Sequence, residues 1–179
     1  VQLGAEDGAE EILSAEITKF LAGKKRQRVD GCLHLAGAYA RAPLADLSKD
    51  AATASAETSR LVRAKVVGAA QMHRVLTSFG AGAVKTGDSS SEPPPPPPFM
   101  IHFGSLAAVL SGAGLGPYAA ANGFLEHFAE WQTREGVVRA GTIAWSSWKG
   151  VGISSTDKSL GFAPWLSAIP EAGSHELLG

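Results

Sequence analysis

The order of apolar and polar positions divides the chain into helical and extended stretches. Residues 6–22 (EDGAEEILSAEITKFLA) place Ile12, Ala15, Ile17, Phe20 and Leu21 roughly on one side, which predicts an amphipathic helix. Acidic residues crowd its start and Lys24, Lys25 and Arg26 follow its end, as the helix dipole favours. Val29–Leu35 (VDGCLHL) predicts a short buried strand. Residues 49–79 predict a long helix, broken near its start. Leu61, Lys65, Ala69, Met72 and Leu76 lie along one stripe of it, and Phe79 continues the stripe. Phe99–Phe103 is short, apolar and aromatic, as a parallel-sheet strand should be. Ser111, Gly112, Gly114 and Gly116 then interrupt regular structure, and Pro117 suits a first helical position. The helix that follows carries Phe124, Leu125, Phe128 and Trp131 on its apolar side, and Val137–Trp145 predicts a further buried strand.

The stretch 80–98 (GAGAVKTGDSSSEPPPPPP) belongs to neither pattern. Six consecutive prolines form a stiff extended segment, and we read the whole as a low-complexity insertion looped out on the surface. Docking of a domain that reads extended proline segments is the alternative. At 179 residues the chain is about one domain, large enough to bury a core. Its formal net charge of −1 gives no reason to expect nucleic acid or a membrane surface as partner. No apolar run approaches the roughly 18 residues of a membrane span. Residues 6–28 are too charged for a signal peptide. A lone cysteine, Cys32, excludes an internal disulfide, fits a reducing compartment and is read as packing; we expect a cytoplasmic protein. The chain begins at Val1, which we read as a piece of something longer or a processed product.

Candidate chemistry gathers around residues 99–128. Ser105 lies just past a predicted strand's carboxyl end, where open α/β sheets place ligands. Tyr118 and Asn122, four apart, share a helix face. Lys65 sits among apolar neighbours. Lysines are seldom fully buried without a partner, so its stem snorkels to solvent or its charge has a role. His34 is read as a hydrogen-bonded histidine inside its strand, not a catalytic base. His73 and Arg74 are read as helix surface. The basic run Lys24–Arg28 is read as a solvated helix end, since no glycine-rich loop accompanies it.

Ser105 and Tyr118 stand thirteen positions apart, and Tyr118-Ala119-Ala120-Ala121-Asn122 continues the pattern. This resembles the short-chain dehydrogenase/reductase family, and within it the ketoreductase domains of polyketide synthases. In that branch Asn takes the place of the usual Lys, and a Lys on the preceding helix supplies the charge; Lys65 in Ala-Lys-Val-Val-Gly-Ala looks like that residue. His34-Leu35-Ala36-Gly37 looks like the family's turn beside the cofactor. Trp145-Ser146-Ser147-Trp148 looks like the segment near the nicotinamide, although Trp145 is equally a core residue by its chemistry. The resemblance covers about residues 29–153. It implies an α/β, Rossmann-like, doubly wound parallel sheet, here lacking its first nucleotide-binding strands. It implies Lys65, Ser105, Tyr118 and Asn122 as catalytic residues, Ala36, Gly37 and Trp145 as cofactor-binding, and no metal. It implies NADPH as cofactor, an acyl carrier protein-bound substrate, other synthase domains as partners, and a lid over residues 154–179.

Ketone reduction adds hydride to carbon and a proton to oxygen. Tyr118 and Ser105 would donate to that oxygen as negative charge grows there. A tyrosine's ordinary pKa is about 10; a cation within roughly 4 to 6 Å eases proton loss, and Lys65 is the candidate. Asn122 would hold the lysine or a relay water. No glycine-rich dinucleotide fingerprint follows a strand before residue 29. Gly112-Ala113-Gly114-Leu115-Gly116 precedes the tyrosine helix and does not replace it. Tyr39-Ala40-Arg41 stands where some ketoreductases carry Leu-Asp-Asp, and Leu110 where the opposite stereochemical class has Trp, so the alcohol's handedness is not set by these positions. A non-catalytic structural or interaction subunit is the competing reading. A serine hydrolase is rejected, because Phe103-Gly104-Ser105-Leu106-Ala107 lacks the Gly-x-Ser-x-Gly elbow.

Overall fold

A computed structural model describes residues 8–39, 51–80, 95–110, 112 and 114–146. Helix α1 spans Ala9–Lys24 and strand β1 spans Gly31–His34. Helix α2 (Ala51–Val62) runs through a π-helical turn, Arg63–Val67, into α3 (Gly68–Gly80). Strand β2 (Phe99–Ser105) ends in a 3₁₀ turn, Leu106–Ala108. Helix α4 spans Gly116–Arg134, with Pro117 in its first turn, and β3 spans Arg139–Trp145.

Among the described residues the strands form one sheet in the order β1-β2-β3, parallel throughout. The register sets Gly31 opposite Phe99, His34 opposite His102 and Ser105 opposite Trp145. All three strands therefore end at the same edge of the sheet. Whatever follows each strand, and whatever a helix delivers to that edge, shares one space.

The core forms where helical stripes meet the sheet. Leu76 on α3 packs with Met100 of β2 and Val138, and Val29, Cys32, Met72 and Ala140 close around them. The stripe expected along residues 61–76 is present: Leu61, Lys65, Ala69 and Leu76 are all buried. Burial pushes the Cys32 thiol up to about 11, which keeps it protonated and consistent with packing. On α4, Leu125 is fully buried. Beside it Phe124, Phe128 and Trp131 stack in sequence, with ring centroids 5.2 and 5.4 Å apart.

Several elements differ from expectation. Strand β1 is shorter than Val29–Leu35, because the Val29 N–H is taken by the Phe79 carbonyl at 3.1 Å and Leu35 points into solvent. Strand β2 runs on to include Ser105. Strand β3 starts at Arg139, after a turn in which Gly136 adopts φ 72°. Helix α1 does not bury its expected face. Ile12 and Phe20 are exposed, Ala9 and Leu21 are buried, and Glu10 reaches across to pair with Arg74 on α3. That pairing contradicts no part of the reading of Arg74 as surface. His73 is half-buried, however, with its ring against Phe128 and Trp131.

Residues 81–94 of the proline-rich stretch lie outside the described residues, as do Trp148 and the expected lid. The last prolines are tied to the fold and not looped out. Lacking N–H groups, they serve only as acceptors: Arg28 donates to the Pro96 carbonyl (3.0 Å), Arg139 Nε to Pro97 (3.2 Å) and the Arg139 N–H to Pro98 (2.9 Å). The remainder of the basic run ends helix α1, where Lys25 takes the left-handed conformation at φ 52°. Among the described residues, no helix is long and apolar enough to cross a membrane.

Candidate active site

Three residues singled out in the sequence, Lys65, Ser105 and Asn122, meet at the carboxyl end of β2, and Tyr118 lies one turn before Asn122. Lys65 comes from the π-helical turn. A π turn offsets the helix register by one residue and often marks a functional position. Here it carries the lysine inward to 4% exposure, with Nζ donating to the Phe103 carbonyl at 3.0 Å. That carbonyl belongs to β2, two residues before Ser105. Burial alone lowers the Lys65 pKa from its ordinary 10.5 to about 8. Among the described residues no carboxylate pairs with the ammonium.

Gly37, in the exposed loop after β1, lies against the lysine head. A side-chain carbon at Gly37 would sit 3.6 Å from both Cε and Nζ. Ala36 beside it is also exposed. Two residues on, the Tyr39 ring meets the Tyr118 ring edge to face, with centroids 5.2 Å apart. The loop after β1 therefore touches both Lys65 and Tyr118.

Ser105 closes β2 and is buried to 7% exposure. Its backbone is extended, and its Oγ accepts from the Ala107 N–H at 3.2 Å. This is an N-cap geometry that fixes the hydroxyl at the strand end. Tyr118 lies in the first turn of α4 and is half-buried. Asn122, one turn further, is fully buried, and its Nδ2 donates to the Tyr118 carbonyl at 2.7 Å. Its Oδ1 is buried and has no hydrogen-bond partner among the described residues. A buried acceptor left open costs about 1–3 kcal/mol, so it invites a donor. That oxygen faces the Gly104 backbone, 4.0 Å from where a side-chain carbon would stand. Asn122 thus reaches the same strand end as Lys65 and Ser105. Trp145 ends β3 opposite Ser105 and is half-buried, its ring tilted on Phe103 at 5.6 Å.

Sequence reasoning missed the polar groups behind this edge. His34 is buried, as expected of a strand histidine, and its Nε2 donates to the Ala64 carbonyl at 3.2 Å. His102 on β2 and Gln132 on α4 are buried with it. The signal available was a histidine and a glutamine at apolar-phase positions of a strand and a helix. An open hollow of about 650 Å³ between α4 and β3, bordered by Glu126, Glu130 and Thr133, contains none of the candidate residues. No group of metal ligands occurs among the described residues.

The profile of one family, described as the KR domain, matches residues 10–150. The chain belongs to the KR domain family. Solved structures agree on the fold. One is a multidomain structure with adenylation, ketoreductase and pseudo-Asub domains, from a keto acid-selecting NRPS module; it is 25% identical with a TM-score of 0.63, over 83% of this chain and 11% of that one. An A-type ketoreductase from a modular polyketide synthase is 28% identical with a TM-score of 0.57, over 82% of this chain and 26% of that one. PlmKR1, the ketoreductase of the first module of phoslactomycin biosynthesis in Streptomyces sp. HK803, is 22% identical with a TM-score of 0.60, over 87% and 30%. No curated protein sequence matches significantly. This KR chain spans about half or less of the length of the solved chains it matches.

Proposed function

We propose that this KR chain forms the catalytic half of an NADPH-dependent β-ketoreductase, reducing a β-keto acyl thioester held on an acyl carrier protein. The observation that carries the reading is Lys65. A buried ammonium facing a neutral carbonyl destabilises a fold, and a mere scaffold has no use for it. Here it is delivered to the strand end that also presents Ser105 and Asn122, while Tyr118, one turn before Asn122, meets the loop after β1 through Tyr39.

The residues fit a nicotinamide. Ala36 and Gly37 leave an open backbone surface beside the lysine, Trp145 offers a flat ring at the next strand end, and the open Asn122 Oδ1 awaits a donor. Ala36, Gly37 and Trp145 would hold the nicotinamide end, and the bound cofactor would supply hydride to the substrate carbon. Ser105 and Tyr118 donate hydrogen bonds to the ketone oxygen as charge grows on it. Tyr118 gives up its proton to that oxygen. The Lys65 charge stabilises the phenolate left behind, and Asn122 anchors the water or ammonium that restores the proton. The grip on adenosine and pyrophosphate comes from a segment beyond the described residues or from another chain, and other synthase domains deliver the substrate.

The test is incubation of the native protein with NADPH and a β-keto acyl thioester, with mass spectrometry of the product. We expect the β-hydroxy thioester. Cofactor binding without any reduced product would contradict the proposal and favour a structural subunit.

A further inference from the structure

Behind the candidate site, a chain of buried polar side chains links the sheet to two helices. His34 on β1 bonds the Ala64 carbonyl through Nε2 (3.2 Å), and its Nδ1 faces Nδ1 of His102 on β2 at 3.4 Å. His102 Nε2 bonds Gln132 Oε1 on α4 at 2.8 Å. The Gln132 amide nitrogen serves His73 Nδ1 on α3 (3.0 Å) and Met100 Sδ (3.3 Å). The two histidine rings meet edge to face, their centroids 5.5 Å apart.

Counting protons along this chain gives an odd result. A carbonyl oxygen only accepts, so His34 must carry a proton on Nε2. Gln132 presents its oxygen to His102, so His102 must also carry its proton on Nε2. A neutral imidazole has one N–H. With both spent on the outer contacts, the two Nδ1 atoms face each other as bare lone pairs. The gap between them is the longest of the three contacts made by the pair, as two facing acceptors require. One further proton would complete every hydrogen bond.

We propose that the His34–His102 pair is a buried binding site for one proton, and that the charge on Lys65 weakens the pair's hold on that proton. Geometry supplies the link, since His34 holds the carbonyl of Ala64, the residue before Lys65 in the π turn. Electrostatics supplies the control. Burial holds His34 down to about 4, and the charges of His102 and Lys65 add to the effect. His102 is lowered by burial, then by Lys65 and His73, against the opposing Gln132 hydrogen bond. The titratable groups acting on the pair are therefore Lys65 from the π turn and His73 from α3, which is itself lowered by burial and then by Arg74. Helix α4 presents neutral Gln132 and the Phe128 ring. All these charges are cationic, so removing Lys65's charge frees the gap to take its proton. The inference stands apart from the reductase reading, since it concerns where a buried charge resides and not what is reduced.

The experiment is a pH titration by NMR of the full chain carrying ¹⁵N-labelled histidine. In the wild type near neutral pH, both His34 and His102 should show protonated Nε2 and bare Nδ1. A proton on either Nδ1 at that pH would overturn the proposal. In Lys65→Met the midpoint of the pair should rise by at least about one pH unit, a tenfold gain in proton affinity. A folded Lys65→Met chain with an unchanged midpoint would also overturn it. Lys65→Gln serves the same comparison if the methionine variant does not fold.

Discussion

At the scale of single residues, Lys65 gives opposite pH dependences for stability and for turnover. Its folded pKa of about 8 lies below the ordinary 10.5. Between these values the unfolded chain binds more protons, so stability should rise with pH across that window. The full gain from this one group is about 3 kcal/mol. The proposed reduction needs the charged ammonium, so its rate should fall as pH passes about 8. Urea unfolding and initial rates measured over pH 7 to 10.5 check both trends. Gly104 gives a steric prediction. A side-chain carbon there would lie 2.8 Å from Thr142 Cγ2, so Gly104→Ala should lose about 1–3 kcal/mol in denaturant unfolding. The residue pattern was readable where spacing encodes it: Tyr118 and Asn122 on one helix face and the Lys65 stripe are features of sequence period, while Ser105 was tied to Tyr118 by the family resemblance. The Lys65 bond to Phe103, the His34–His102 contact and the crowding at Gly104 are not, because each joins residues far apart in the chain through a register that only the folded sheet defines.

At the scale of elements, the strands and helices around the site were legible because their apolar runs are short and strongly periodic. The π turn was not. Nothing in Arg63–Val67 distinguishes it from the flanking helix, and the offset is settled by what Lys65 meets at the end of β2. Helix α1 was misjudged in its orientation, since its apolar residues form no sharp stripe and the Glu10–Arg74 pair helps decide which side faces α3. Helix α4 carries both the proposed Tyr118–Asn122 pair and the packing that holds it. Its anchor is Leu125, with no exposed surface. Leu125→Ala should lower stability by about 2–5 kcal/mol in thermal or urea unfolding.

At the scale of the whole molecule, buried neutral histidines couple the fold to acid. His34 is held from its ordinary 6.5 down to about 4, and His102 is lowered as well. As pH falls from 6.5 towards 4 the unfolded chain takes up protons that the folded core refuses, so stability declines across that window. His34 alone accounts for up to about 3 kcal/mol. Urea unfolding at pH 7 and pH 4.5 should show the loss, and His34→Leu should make the curve flatter. The α/β class and the parallel order of the sheet were legible from short apolar strands separated by helices. The polar chain from His34 through His102 to Gln132 was written in no local pattern, since it joins three elements through the folded sheet.

The central claim is that this KR chain carries out reduction through Tyr118. The measurement that tests it most directly is kcat for NADPH-dependent reduction of a β-keto acyl thioester by the native protein, compared with its Tyr118→Phe variant. Loss of the proton donor at the ketone oxygen should lower kcat by at least about 10²-fold, with the fold unchanged by circular dichroism. Equal rates in the two proteins would contradict the account.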